Sequence, residues 1–171
     1  YYGAEVPFIR PKELTYNQVS LREVCKHALN FLERKEKIKI DSLIALQPTS
    51  PLRLSKDIDN SIKIFKRKRS KCLLSVNEAK PLEWHGYIKK DKTISFFVKK
   101  NNLQPKKNYL LNGAIYIFSK QFLLRDSFYK IKSLNKYYPT SDTYIMPKSR
   151  SVDIDSIEDF DQVEFLKNMR K

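Results

Sequence analysis

Two carboxylates two residues apart, Asp153 and Asp155, lie in the stretch Ser151-Val152-Asp153-Ile154-Asp155. In extended backbone alternate side chains share a face, so both acids point one way while Val152 and Ile154 pack behind them. Acids so close repel, and a divalent cation removes that cost. Mg²⁺ suits such a pair, because it takes one or two carboxylates and completes its shell with phosphate oxygens. Solvated acids ahead of a helix N-terminus, where the dipole favours negative charge, account for the same spacing. A second group, Gln47-Pro48-Thr49-Ser50-Pro51-Leu52-Arg53, follows directly on an apolar run. Ligands in doubly wound folds sit beyond the carboxyl ends of such strands. The prolines stiffen this loop, Gln47 offers an amide, and Arg53 offers a planar fork suited to carboxylate or phosphate. A polar turn into the next helix is the plainer reading of the same residues. A third group is Asn112-Gly113 ahead of an apolar strand. It is either a tight turn, since both residues tolerate positive φ, or an amide presented to a ligand, with Tyr116 on the same strand face adding a hydroxyl and a ring.

Other chemistries find little support. His27 and His85 have no carboxylate or cysteine at metal-ligand or triad spacing and read as structural or surface residues. With three glycines in all, Gly3, Gly86 and Gly113, the chain holds no glycine-rich phosphate cradle.

The elements that must position these groups follow from hydrophobic period and caps. Ser20-Leu21-Arg22-Glu23 has the form of a capping box, and Leu21, Val24, Cys25, Ala28, Leu29 and Leu32 recur at helical spacing after it. Ser42 to Leu46 is a short apolar run that suits a buried strand ending at Gln47-Pro48. Ser55 can cap a second helix with Ile58, Ile62 and Phe65 on one face and cations at its end. Cys72 to Val76 is a second buried strand, so the order predicts a βαβ crossover in a parallel sheet. From Pro81 to Lys107 the texture changes to a hairpin, Tyr87-Ile88-Lys89 and Ile94 to Val98 flanking a polar turn, which we read as an inserted arm. Gly113 to Phe118 returns to a core strand, Ser119 caps a short helix, Thr143 to Met146 forms a last strand, and Ser156 with Asp159 caps a helix carrying Ile157, Phe160, Val163 and Leu166 inward. The sum is an α/β three-layer fold.

At 171 residues and 41% hydrophobic, the chain can bury one sizeable core, so one domain with an appended arm is expected. A net charge of +15 attracts polyanions: nucleic acid, an anionic membrane surface or a nucleotide triphosphate. The densest basic run, Lys63 to Lys71, falls at a helix end, where cations complement the dipole. No nucleic-acid-binding motif accompanies it, so that reading stands second. The two cysteines, Cys25 and Cys72, have no partner at metal or redox spacing, which favours buried thiols in a reduced cytoplasmic setting. No apolar run approaches the roughly 18 residues that cross a bilayer.

Gly3 to Leu14, Leu46 to Arg53, Asn112 to Ile117 and Ser151 to Asp155 together, in order and rough spacing, closely resemble the acylneuraminate cytidylyltransferases. The resemblance implies a Rossmann-like α/β sandwich of the nucleotide-diphospho-sugar transferase type, with residues 81–107 as an arm exchanged across a homodimer. It also implies synthesis of a CMP-sugar and pyrophosphate from CTP and a nine-carbon acidic sugar with Mg²⁺. By motif position, Arg10 lies on the cytidine side, Gln47, Arg53, Asn112 and Tyr116 bind the sugar, Tyr137 or Tyr138 lines its pocket, and Asp153 and Asp155 hold the metal. The family's phosphate loop has no counterpart here and would precede Tyr1, so the chain alone is expected to bind CTP poorly, or to be an inactive truncated paralogue. Glu83 follows Pro81-Leu82 where neuraminate-type members often place Lys, and Asn102 stands where a basic residue is expected. Pseudaminate, legionaminate or another bacterial nonulosonate is therefore as good a substrate expectation as N-acetylneuraminate.

Overall fold

The structure is a computed structural model, and it describes residues 3–16, 19–97, 107–125, 138 and 141–169. The chain divides into two compact units, each assembled from three separate stretches: Tyr1–Ala45, Ile62–Leu73 and Tyr116–Asp142 in the first, Leu46–Ser61, Leu74–Ile115 and Thr143–Lys171 in the second.

In the first unit, helix α1 (Leu21–Glu36) opens with the expected capping box: the Ser20 side chain accepts from the Glu23 N–H, and the Glu23 carboxylate accepts from the Ser20 N–H at 2.8 Å. It ends at Lys37 in the left-handed region, with φ 52°. Cys25 and Leu29 are its buried apolar residues. Arg22 also points inward, which the sequence pattern does not foretell. Its Nη2 donates to the carbonyls of Phe122 at 2.6 Å, Leu123 at 3.1 Å and Arg125 at 2.6 Å. These are the open carbonyls at the end of α3 (Lys120–Leu124), so one buried cation satisfies groups that a short helix leaves unpaired. Strand β1 (Ser42–Ala45) runs antiparallel to the end of β5 (Asn108–Ser119), Ser42 opposite Ser119 and Ala45 opposite Tyr116. Ile117, Phe118, Phe122 and Leu123 form the buried apolar body of this unit. His27 packs edge-on against Phe8, ring centroids 5.0 Å apart, which fits the structural role expected for it.

The sheet order is β1-β5-β2-β6, where β2 is Cys72–Ala79 and β6 is Asp142–Ile145. The predicted crossover from β1 through α2 (Ser55–Lys68) to β2 therefore does not join neighbours: the long strand β5 lies between them. Strand order is fixed by pairing partners far along the chain, which local period does not report. Burial pushes the Cys25 and Cys72 thiols up to about 12 and about 11, in keeping with core cysteines.

In the second unit, β3 (Gly86–Ile88) and β4 (Ile94–Phe96) make the expected hairpin, with Tyr87 opposite Ser95 and Lys92 at φ 65° in the turn. Helix α4 (Ile157–Asn168) carries the Ser156 and Asp159 capping box. Of its four residues expected inward, Val163 is buried, whereas Ile157 and Phe160 are exposed. Its apolar residues, Phe165 included, are spread around the helix rather than along one stripe.

Ser55 is the first residue of α2 and not its cap; Asp57 instead takes the Leu54 N–H at 2.9 Å. Asp57 is fully buried. Its oxygens also accept from Arg150 Nε at 2.9 Å, Arg150 Nη2 at 2.7 Å and the Tyr144 hydroxyl at 2.8 Å. Burial alone would raise its pKa, but the bonds from Arg150, the Leu54 N–H and Tyr144 outweigh it and hold the carboxyl below its ordinary value. A depressed carboxyl contributes stability above the pKa of the unfolded chain, about 3.9, and loses it as pH falls through the folded value. Asp57→Ala leaves Arg150 without its anion and is expected to cost about 3–5 kcal/mol in urea titrations at pH 7. The cost should shrink at pH values below the folded pKa; equal cost at all pH would refute the ionic account.

Candidate active site

The residues that the sequence singles out as Gln47, Arg53, Asn112 and Asp153 meet in the second unit, around a glycine. Gly113 has φ +71°, a conformation that side chains make costly. A Cβ built there would lie 2.5 Å from Gln47 Oε1 and 3.0 Å from Asp153 Oδ2. The Gln47 amide and the Asp153 carboxylate thus converge over bare backbone, an approach that only glycine allows.

Each wall of this corner is tied down. The Gln47 loop turns on a bond from the Ser50 N–H to the Gln47 carbonyl at 3.3 Å. The fully buried Ser50 hydroxyl faces two acceptors, the Asn112 carbonyl and Asp153 Oδ1, each at 3.3 Å. The Ile154 N–H donates to the Thr49 carbonyl at 2.9 Å, joining the acidic stretch to the loop by backbone. Arg53 spends Nη1 on the carbonyls of Gln47 and Ala114, both at 2.9 Å. Among the described residues, its Nε and Nη2 carry no hydrogen bond. Burial lowers the pKa of this guanidinium, so the site pays for holding a cation and an anion beside it would offset that cost.

Asn112 is buried and its side chain is used internally. Its Oδ1 accepts from the Ser75 hydroxyl at 2.6 Å and the Ala114 N–H at 3.2 Å, and its Nδ2 donates to the Ser151 hydroxyl at 3.0 Å. It braces the corner instead of presenting its amide outward. Ser75 in turn accepts from the Ile115 N–H at 2.8 Å. Asp155 is exposed; its N–H donates to Asp159 Oδ2 at 3.1 Å, so its backbone belongs to the cap of α4. Tyr116 and Tyr138 belong to the first unit, where their ring centroids lie 6.4 Å apart and Tyr138 stacks on Phe118 at 6.3 Å. Arg10 also belongs to that unit and is exposed, and Tyr137 lies outside the described residues. Sequence reasoning missed Ser50, Ser75 and Ser151 as braces and Gly113 as the floor. Serine carries no distinguishing period, and the steric need at Gly113 becomes visible only with its neighbours in place.

No protein-family model matches the chain. It is 34% identical over 165 residues to the N-acylneuraminate cytidylyltransferase of Escherichia coli, covering 94% of this chain and 36% of that protein. It is 29% identical over 172 residues to a pseudaminic acid cytidylyltransferase of Campylobacter jejuni, covering 96% and 70%. With the post-translational flagellin modification protein B of Campylobacter coli it shares 30% identity over 172 residues, 96% of this chain and 69% of that one. The chain belongs to the nonulosonic acid cytidylyltransferase family. Among solved structures, the 4-diphosphocytidyl-2C-methyl-D-erythritolsynthase of Anaerococcus prevotii superposes with a TM-score of 0.53 at 12% identity, over 92% of this chain and 68% of that one. That likeness shows the nucleotide-diphospho-sugar transferase fold, the α/β class expected from the sequence. The chain spans about a third of the E. coli member and about 70% of the Campylobacter members.

Gly113→Ala is expected to cost about 1–3 kcal/mol from backbone strain plus the displacement of Gln47 and Asp153. Adding Gln47→Ala to Gly113→Ala should restore part of the loss, because the nearest clashing atom is removed while the strain persists. Denaturant titration of the two variants checks this, and strict additivity with the single Gln47→Ala change would contradict the close approach.

Proposed function

We propose that the protein carrying this chain transfers CMP from CTP to a nine-carbon acidic sugar and releases pyrophosphate. The observation that carries this reading is the convergence of Gln47 Oε1 and Asp153 Oδ2 over Gly113 in a chain of this family. In the transfer, a sugar hydroxyl attacks the α-phosphorus, the new O–P bond forms, and the bond to the bridging oxygen of pyrophosphate breaks. Such chemistry depends on positioning and on offsetting negative charge.

The corner suits both needs. Gln47 can donate and accept toward sugar hydroxyls. Arg53 has Nε and Nη2 for a sugar carboxylate, and its partial burial strengthens that pairing. Asp153 keeps Oδ2 toward the open floor while Oδ1 faces the Ser50 hydroxyl. Among the described residues no group of three or more His, Cys, Asp or Glu gathers as a protein cage. Asp153, with Oδ2 toward the floor, and the exposed Asp155 two residues on would suit a Mg²⁺ that shares its shell with phosphates and water. Bound there, Mg²⁺ would supply neutralisation of the triphosphate. Tyr116, with Tyr137 or Tyr138, is proposed to contribute to the sugar pocket and Arg10 to the cytidine side, as the family resemblance implies.

The substrate is proposed to be a nonulosonate of the sialic, pseudaminic or legionaminic type. Residues 81–107 are proposed to form a dimer arm, on the strength of the hairpin and of Trp84, Tyr87, Phe96 and Phe97, all more than half exposed. Among the described residues no helix is long and apolar enough to cross a membrane, and a cytoplasmic site of action is part of the same proposal.

In the full-length protein, Asp153→Asn keeps shape but loses the charge, and turnover should fall on the order of 100-fold or more. Arg53→Lys keeps charge but loses the fork, so it should raise the sugar KM on the order of tenfold with CTP KM little changed. Pyrophosphate release against CTP, sugar and Mg²⁺ in turn separates the two, and unchanged turnover in Asp153→Asn would refute the proposal. Deleting 81–107 should halve the mass in sedimentation; an unchanged mass sinks the arm.

A further inference from the structure

We propose that Asp57 and Arg150 are positioning residues that set where Asp153 stands relative to Gln47, a role that rests on the function proposed above. The pair lies outside the corner but grips both segments that build it. Asp57 holds the Leu54 N–H, one residue beyond Arg53, and Arg150 immediately precedes Ser151, whose hydroxyl takes the Asn112 amide. The fork of Arg150 closes on the carboxylate with two bonds, Nε to Oδ2 at 2.9 Å and Nη2 to Oδ1 at 2.7 Å. Tyr144 OH adds a third tie from β6 at 2.8 Å.

The loop 47–54 and the stretch 148–155 are thus cross-linked at two places. At one end stands the ionic clamp; at the other stand the Ile154 to Thr49 backbone bond and the Ser50 contact with Asp153. Ser50 meets Asp153 at 3.3 Å and Ile154 meets Thr49 at 2.9 Å, so among the described residues no ion pair holds the far end. A bidentate clamp on a buried carboxylate fixes distance and angle, whereas single hydrogen bonds fix distance alone. With the clamp loosened, the acidic stretch can slide along the loop and Asp153 leaves the Gly113 floor. Mispositioning of this kind lowers turnover without altering the groups that contact ligand.

Arg150→Lys, which keeps the charge and removes the fork, and Asp57→Asn, which keeps the shape and removes the charge, test the proposal in the full-length protein. Arg150→Lys retains the comparison if Asp57→Asn does not fold. Without metal or substrate, amide exchange at Ile154 should accelerate at least about tenfold while that of Leu29 in α1 stays unchanged. With substrates, kcat should fall about tenfold with CTP KM unchanged, and the effect should vanish in an Asp153→Asn background, because the clamp acts through that residue. Unchanged exchange at Ile154, or acceleration shared equally by Leu29, overturns the positioning role alone. A kcat loss that persists in full beside Asp153→Asn overturns it as well. Turnover unaffected by Asp153→Asn by itself overturns the proposed function and with it this role.

Discussion

The absence of a side chain at position 113 is the constraint on which the site depends. Any Cβ there would displace the Gln47 amide and the Asp153 carboxylate. The two groups come from distant parts of the sequence, one from the loop after β1, the other from the approach to α4. What holds them is a set of neutral bonds among Ser50, Ser75, Asn112 and Ser151, closed by the ionic node at Asp57. Buried polar networks of this kind cost free energy unless every member is satisfied, and Asp57 accepts four bonds, the capacity of an ionised carboxylate.

The sequence reveals those parts of this arrangement that local chemistry dictates. The capping boxes at Ser20 and Ser156, the Ser119 cap and the hairpin at 86–96 are written in adjacent residues, and each forms as read. The meeting of Gln47 with Asp153 is legible because both lie in motifs with a known family order. The neighbours of β1 are not, since β5 reaches it from more than seventy positions away. Asn112 shows the limit of residue-type reasoning: an amide before a glycine reads as a tight turn or as a ligand donor, and its bonds to Ser75, Ala114 and Ser151 show a further use, as a brace. The inward faces of α4 fail for the opposite reason, since a helix with apolar residues all round has no stripe to identify.

Charge ties the site to the rest of the chain. A chain of net charge +15 attracts anions in general, but only a placed cation holds one in register. Arg53 is the cation placed within the corner: its Nη1 braces the loop, and its burial carries a cost that an anion beside it would offset.

The most direct test of the site is paramagnetic broadening by Mn²⁺, added with CTP to the isotopically labelled full-length protein, because relaxation falls steeply with distance from the ion. A metal held by Asp153 over the Gly113 floor should broaden the amides of Gly113, Ser50 and Ile154 before those of α1. Sharp signals at these three amides while others broaden would contradict the account.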